Sequence, residues 1–142
     1  MSNIIIRKAR QSDLKKIAEL YKEAFSETYK EPWTIKTALE RIKFYYKNKE
    51  ILLIMDKSRM LGFIVFAIEP WHSGKRGVII DMAIVKEFRR QGFGKMLVNY
   101  VEENCKNKKV KSMFVESMDE TADYFKKFNY VPAWNVITKE LK

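Results

Sequence analysis

The chain has 142 residues, 46% of them hydrophobic and 13% aromatic, and its formal net charge is +10. That length and composition fit a single packed domain, 1–142, and argue against a disordered chain or a second domain. The charge suits a polyanionic ligand, an anionic membrane surface or nucleic acid, but the lysines are spread along the chain, which favours solvated faces.

Targeting, redox and metal signals are weak in this sequence. No apolar run approaches the ~20 residues that span a bilayer, and residues 1–8 lack the apolar core of a signal peptide. We therefore expect a cytoplasmic protein with no membrane partner.

The single cysteine, Cys105, cannot form an internal disulfide and should be a small buried residue. No metal-ligand spacing occurs, no zinc-finger or RNA-binding motif supports nucleic acid as a partner, and a homodimer is left open.

The N-terminal half predicts a strand, a helix and a hairpin. Residues 3–8 are rich in isoleucine and indicate a first strand. Ser12 is placed to cap a first helix, whose apolar face extends to about Phe25. Residues 50–55 and 60–69 are two apolar runs separated by residues of turn composition, and they should pair antiparallel.

A second helix is predicted to begin at Thr34, between the first helix and the hairpin. Tyr45 and Tyr46 fall in its apolar stripe, where core packing is favoured over contact with a substrate. Trp33 precedes the cap on a loop, where an aromatic side chain either lines a pocket or packs against the core.

The next segment joins a loop to a central strand. Residues 70–77 are polar and rich in turn formers, and they are predicted to leave the sheet edge with His72 at the surface. Residues 78–85 form an apolar run typical of a central strand. Period-two geometry assigns its side chains to two faces, Val78, Ile80, Met82 and Ile84 on one and Ile79, Asp81, Ala83 and Val85 on the other.

Asp81 is the anomaly in this strand. A carboxylate inside a central strand costs several kcal/mol unless it is paired or reaches water. Asp81 is therefore either a strand-end residue that reaches solvent or a lysine, or a base or amine anchor that faces a cleft.

A basic connector and an amphipathic helix follow this strand, and two glycines mark the change. Arg89, Gly92 and Gly94 give the spacing R-x-x-G-x-G, which is neither the dinucleotide GxGxxG nor the Walker GxxxxGK[ST] pattern. Glycine lets another group approach the backbone, and the first turn of a helix offers unpaired N–H groups at the positive end of its dipole. The segment therefore predicts a phosphate-binding turn.

This segment resembles the R/Q-x-x-G-x-G/A signature of the GNAT superfamily of acetyl-CoA-dependent N-acetyltransferases. Residues 82–84 are similar to the family's LAV segment, and residues 88–94 are similar to its YRGQGIG segment. The resemblance implies an α/β (α+β) fold whose mixed, mostly antiparallel sheet has about six or seven strands and about four flanking helices. It also implies acetyl-CoA as co-substrate. The implied coenzyme-binding residues are Met82, Ala83, Ile84, Arg89, Arg90, Gln91, Gly92, Phe93, Gly94 and Lys95.

The C-terminal third predicts a strand, a helix and a further strand. Residues 111–116 indicate the first of these strands, and a capping box runs from Ser117 to Glu120 at the start of the helix. Residues 133–141 have strand propensity.

Residues 118–132 resemble a later family motif, in which a tyrosine protonates the leaving thiolate. Phe125 stands at the position of that tyrosine, and Met118 stands where the family usually has asparagine. Tyr124 is adjacent to Phe125, but one residue is about 100° around a helix, so it cannot take that place without a local shift.

The resemblance implies direct attack by a primary amine on acetyl-CoA within a ternary complex. The acceptor is a protein N-terminus, a lysine or a small-molecule amine. Candidates for the base are Asp81, Glu116 and Glu69, and Tyr124 is a candidate acid. The alternative is a non-catalytic module that binds coenzyme A or nucleic acid on the same scaffold. If the glycine turn binds phosphate, aspartate at either glycine should abolish coenzyme binding while the fold survives.

Overall fold

The computed structural model describes residues 3–116, 119–134 and 136–141. Short 3-10 turns at Gln11–Asp13 and Lys86–Phe88 lie before the first and third α-helices. No helix in the described ranges is long and apolar enough to cross a membrane. The strands and α-helices of these ranges are β1 (Ile4–Lys8), α1 (Leu14–Tyr29), α2 (Ile35–Asn48), β2 (Glu50–Asp56), β3 (Arg59–Trp71), β4 (Gly74–Ile84), α3 (Phe93–Asn107), β5 (Ser112–Val115) and α4 (Asp119–Lys126).

The strands form one sheet in chain order, β1-β2-β3-β4-β5. Every neighbouring pair is antiparallel except β4 and β5, which are parallel. The predicted mixed, mostly antiparallel class is confirmed, although the described sheet has five strands instead of six or seven. Residues 133–134 and 136–141 form no strand, and Val136 and Ile137 are 82% and 91% exposed. Val136 and Ile137 thus meet no surface on which to pack, and the strand propensity of this segment is not realised.

Helices cover both faces of the sheet and give two apolar cores. α1 and α2 pack on one face, where Ile17, Ile42 and Phe63 are fully buried. α3 and α4 pack on the other face, around Leu97. Cys105 lies in this second core and is 1% exposed, which confirms the prediction of a small buried residue.

The two predicted helix caps have different outcomes. Thr34 caps α2 as predicted, since its Oγ1 accepts the Thr37 N–H at 3.0 Å. The predicted cap at Ser12 is wrong, because this residue lies inside the 3-10 turn. Asp13 is the N-cap residue of α1 but makes no side-chain cap bond, and its carboxylate instead accepts the Arg10 N–H at 2.7 Å across the 3-10 turn.

The ends of the other elements differ by a few residues from the predictions. α1 runs to Tyr29, past the predicted end at Phe25. The capping box predicted from Ser117 to Glu120 cannot be compared as a whole, because Ser117 and Met118 lie outside the described residues. α4 begins at Asp119.

Residues 70–77 do not form a separate loop, and that prediction is wrong. β3 and β4 stay paired as far as Trp71, so that only a tight turn at His72 separates them. Pro70 is tolerated in β3 because β2 pairs with β3 only as far as Phe66. Beyond that residue no backbone N–H of β3 is needed to bond β2. His72 is exposed, as predicted.

A β-bulge in β4 changes which side chains share a face. Asp81 pairs with Val65, but Ile79 pairs with the next residue of β3, Phe66, so that Ile80 is an extra residue. The strict alternation predicted for this strand is therefore wrong across the bulge. The core under α3 and α4 receives Ile79, Met82 and Ile84, whereas Ile80, Ala83 and Val85 pack toward α1 and α2.

Candidate active site

β5 leaves β4 part-way along, which opens one edge of the central strand. The last β4–β5 pair joins Ile79 to Val115, and the Glu116 N–H then donates to the Ile79 carbonyl at 2.9 Å. Residues 81–84 stay paired with β3 on their other side. In the part of the chain that the structure describes, no strand lies beside residues 80–84 on the β5 side. The sheet is therefore split from the bulge onward.

The open edge presents the backbone of Met82 and Ile84. The Val85 N–H donates to the Leu61 carbonyl at 2.8 Å, so the backbone of Val85 faces β3. Because backbone groups alternate along an antiparallel strand, the N–H and C=O groups of Met82 and Ile84 point away from β3. Arg89 Nε donates to the Ile84 carbonyl at 3.0 Å. The Ile84 N–H and both backbone groups of Met82 are then placed to pair with an extended ligand.

The open edge leads to the start of α3, where the first N–H groups lack a side-chain cap. Gly92 is the N-cap residue, with φ 85°, and makes no side-chain cap bond. The Met96 N–H donates to the Gly92 carbonyl at 3.0 Å, so the N–H groups of Phe93, Gly94 and Lys95 have no partner within the helix. A Cβ at Gly92 would meet nothing within 4 Å. This turn faces open space and offers an anion the positive end of the helix dipole.

The side chains around this turn divide into two groups. Arg89 is engaged internally, because its guanidinium bonds the strand carbonyl and also lies 3.7 Å from the Glu27 carboxylate. Arg90, Gln91 and Lys95 are exposed. Arg89 thus braces the turn, while Arg90 and Lys95 place positive charge where an anion would approach.

Gly94 has a different role from Gly92. A Cβ at Gly94 would collide with the Tyr124 hydroxyl and would lie 3.6 Å from Met82 Cε. The group that comes close to Gly94 is therefore this chain's own tyrosine. Aspartate at Gly94 would disturb the contact between α3 and α4, so the expectation that the fold survives this change is not supported.

Gly94→Ala is expected to lower the free energy of unfolding by roughly 1–3 kcal/mol, because the added methyl overpacks against the Tyr124 hydroxyl. Tyr124→Phe removes that oxygen, so Gly94→Ala should lower the free energy of unfolding by a smaller amount in the Tyr124→Phe background. Urea unfolding of the wild type, both single variants and the double variant measures this coupling. Equal costs in the two backgrounds would show that the contact is absent.

Asp81 lies on the α1 and α2 face of β4, and two tyrosines hold it. The Tyr21 hydroxyl, from α1, donates to Asp81 Oδ2 at 3.2 Å, and the Tyr45 hydroxyl, from α2, donates to the same oxygen. Both tyrosines are fully buried, and Asp81 is half-buried. Burial raises the pKa of Asp81 to about 6, although both hydroxyl bonds and the charge of Arg41 lower it. A carboxyl group with such a pKa can exchange a proton close to neutral pH.

The surroundings of Asp81 decide how three aromatic residues are interpreted. Tyr45 packs in the core, as predicted, but its bond to Asp81 was missed. A buried tyrosine hydroxyl needs a partner, and the only sequence signal was a tyrosine on an apolar helix face. Trp33 packs edge-on against Tyr21, with ring centroids 4.9 Å apart, which favours packing over a pocket. Tyr46 is 42% exposed, so the prediction of core packing is wrong for it.

The other candidate bases lie in different environments. Glu69 accepts a bond from Arg76 Nε at 3.0 Å, and the same pair forms a salt bridge along the β3–β4 hairpin. Glu116 is exposed where β5 leaves β4, and its charge raises the pKa of Asp81. The split thus brings Asp81 and Glu116 together and leaves Glu69 in its own ion pair. No group of three or more His, Cys, Asp or Glu side chains in the described ranges could hold a metal ion.

α4 directs Tyr124 and Phe125 to different places. The Tyr124 hydroxyl lies against Gly94 at the start of α3, beside Met82. Burial raises the pKa of Tyr124, which keeps its proton in place. Phe125 is 7% exposed and packs edge-on against Tyr130, with ring centroids 5.7 Å apart. The position that matches the family's tyrosine is therefore part of the core, and its neighbour reaches the glycine turn.

An open central-strand edge that leads into an uncapped helix start is suited to a ligand that carries an extended amide arm and phosphate groups. The sequence matches the model of the acetyltransferase (GNAT) family over residues 14–130, and the chain belongs to this family. The family uses acetyl-CoA. Comparison with curated protein sequences finds no match.

Solved structures of acetyltransferases have the same fold. A possible acetyltransferase from Clostridium difficile 630 superimposes with a TM-score of 0.84 at 20% identity, over 98% of each chain. An aminoglycoside N-acetyltransferase in complex with CoA gives 0.78 at 16% identity, covering 100% of this chain and 97% of the other. A ribosomal-protein-alanine N-acetyltransferase from Brucella melitensis biovar Abortus 2308 gives 0.79 at 13% identity, covering 98% and 99%. At these identities the likeness establishes the fold alone.

Proposed function

We propose that the protein is an N-acetyltransferase that moves an acetyl group from acetyl-CoA to a primary amine by direct attack. The observation that carries this proposal is the continuity between two binding features. The open edge at Met82 and Ile84 leads through the connector to the uncapped N–H groups that follow Gly92. An elongated carrier with an amide-rich arm and a diphosphate needs these two features in that order.

The residues present fit coenzyme A. The N–H groups of residues 93–95 would hold the diphosphate, with Arg90 and Lys95 adding positive charge. The backbone of Met82 and Ile84 would pair with the amide arm. When bound, acetyl-CoA supplies an acetyl group activated as a thioester.

The Ile84 N–H is the donor placed to stabilise negative charge that develops on the acetyl carbonyl oxygen. Arg89 Nε holds the Ile84 carbonyl, which belongs to the next peptide group, at 3.0 Å and so steadies the backbone beside this N–H. In other enzymes, loss of one such donor costs roughly 3 kcal/mol of transition-state stabilisation.

Asp81 is the carboxylate best suited to take the proton of the amine. Its pKa of about 6 lies closer to neutral pH than that of an ordinary aspartate. Glu116 remains a second choice at the same split, and the ion pair with Arg76 argues against Glu69. A lysine-like amine, with a pKa near ~10.4, needs this help more than an α-amine near ~8.

Tyr124 is the proposed acid because its hydroxyl lies near Met82 of the open edge, and Tyr124→Phe should lower kcat at least tenfold while coenzyme affinity stays within about twofold. Tyr130→Phe is the matched control: the Tyr130 hydroxyl donates to Glu102 at 2.8 Å, away from the glycine turn, so its loss should leave kcat unchanged. Steady-state kinetics with saturating amine measure both. If kcat is the same for Tyr124→Phe and the wild type, water or another group protonates the thiolate.

Thiol release from acetyl-CoA in the presence of a panel of amines tests the proposed function. The panel should contain peptides with free N-termini, acetylated peptides with a lysine, and small amines including aminoglycosides. Amine-dependent release, with a mass gain of one acetyl group on the acceptor, supports an enzyme. Binding of coenzyme A or salt-sensitive binding of nucleic acid, without release for any amine, supports the non-catalytic alternative.

A further inference from the structure

Two tyrosine hydroxyls from two different helices converge on one oxygen of Asp81. Tyr21 and Tyr45 lie 60 and 36 residues before Asp81 in the chain, and both donate to Oδ2. We infer that Tyr21 and Tyr45 are positioning residues, which fix the Asp81 carboxylate so that Oδ1 receives the acceptor amine. This inference rests on the proposed function and assigns a task to two helices outside the coenzyme-binding segment.

The tyrosines are themselves held rigidly. The Tyr21 ring stacks on Phe25 with centroids 4.3 Å apart, and it meets Trp33 edge-on at 4.9 Å. Tyr45 is 1% exposed, and the Arg41 guanidinium lies 4.8 Å from its ring centroid. This packing limits how far either hydroxyl can follow the carboxylate, so a rotation that carries the accepting oxygen away from them weakens both bonds.

The bonding pattern also distinguishes the two carboxylate oxygens. Oδ2 accepts two hydroxyl bonds, and in the described ranges Oδ1 accepts no side-chain bond. Asp81 is only half-buried, which leaves the carboxylate within reach of an incoming donor. An ammonium group is therefore directed to Oδ1, and its proton passes to an oxygen whose position does not vary.

The charges that face Asp81 come from every element packed around it. Burial raises the pKa of Asp81, and so does the charge of Glu116. The pKa is lowered by the hydrogen bonds from Tyr45 of α2 and Tyr21 of α1 and by the charge of Arg41 of α2. Loss of a hydroxyl removes a bond that favours the charged form, so the pKa of Asp81 should rise. A tyrosine that served only to pack the core would not change the ionisation of the carboxylate.

The pH dependence of kcat/KM for the amine tests this inference in Tyr21→Phe, Tyr45→Phe and the double variant. Tyr46→Phe is the matched control, since Tyr46 lies next to Tyr45 on α2 but is 42% exposed. We expect the acidic limb of the double variant to move up by about one pH unit, with intermediate shifts in the single variants and none in Tyr46→Phe. The KM for acetyl-CoA should not change. An acidic limb that stays in place in the double variant would overturn the inference.

A second readout separates this inference from the proposed function. The carboxyl carbon of Asp81 can be titrated by NMR in the wild type and the double variant without any turnover. The same upward shift is expected there, and an unchanged titration would overturn the positioning role. If the wild type acetylates no amine, the proposed function fails, and the titration still shows whether the two hydroxyls control the carboxylate.

Discussion

Gly92→Asp is expected to weaken coenzyme A binding at least 100-fold, while Gly74→Asp leaves it unchanged. A carboxylate at position 92 lies next to the uncapped N–H groups of α3, where it repels a diphosphate and competes for the same donors. Both glycines have positive φ, 85° for Gly92 and 113° for Gly74, and neither has atoms within 4 Å of an added Cβ. The two variants thus share the added charge and the kind of backbone strain and differ in location.

Calorimetric titration with coenzyme A measures this difference, and thermal unfolding checks that both variants fold. Strain at a positive φ should lower the free energy of unfolding of each variant by about 1–2 kcal/mol. Equal coenzyme affinity in Gly92→Asp and Gly74→Asp would show that the anion site does not lie at the start of α3.

Asp81→Asn is expected to make the protein more stable at pH 8 and to lower kcat/KM by about 10²–10⁴-fold. The folded-state pKa of Asp81, about 6, lies above the usual value of 3.8. The contribution of Asp81 to wild-type stability therefore falls as pH rises from about 4 to about 6, because the folded state binds this proton more tightly than the unfolded state does. A pKa shift of this size lowers the free energy of unfolding by up to about 3 kcal/mol above pH 6.

The asparagine side chain removes the charge and keeps an oxygen for the two tyrosine hydroxyls. Asp81→Asn should then gain about 1–3 kcal/mol over the wild type at pH 8 and lose most of this advantage near pH 4. Urea unfolding at several pH values gives these free energies, and initial rates with the preferred amine give kcat/KM. Glu69→Gln is the control that should leave activity intact. Retained activity in Asp81→Asn, with loss in Glu116→Gln, would transfer the role of base to Glu116.

The strand, the connector and the two glycines of the proposed coenzyme-binding segment could largely be predicted from local sequence. An apolar run, a basic connector and the spacing of Gly92 and Gly94 lie within one short segment, so their relation does not depend on distant contacts. Sequence alone did not separate the two glycines. Gly92 is needed for its backbone conformation, whereas Gly94 makes room for Tyr124, which comes from another helix.

The surroundings of Asp81, which we propose as the acceptor side, could not be predicted because they are assembled from residues far apart in the chain. Sequence identified Asp81 as an anomaly, but its partners Tyr21 and Tyr45 looked like ordinary core residues on apolar helix faces. The bulge at Ile80 could not be predicted from the sequence either, because it arises from the pairing of β4 with β3 and not from β4 alone. Long-range pairing likewise extended the hairpin through residues 70–77, where local composition indicated a loop.

A crystal structure with bound coenzyme A tests the central claim most directly. We predict that the diphosphate oxygens lie about 3 Å from the N–H groups of residues 93–95. The amide arm should run along the open edge of β4 beside Met82 and Ile84. Coenzyme A bound at another surface, with the start of α3 and this strand edge free of ligand, would contradict the account.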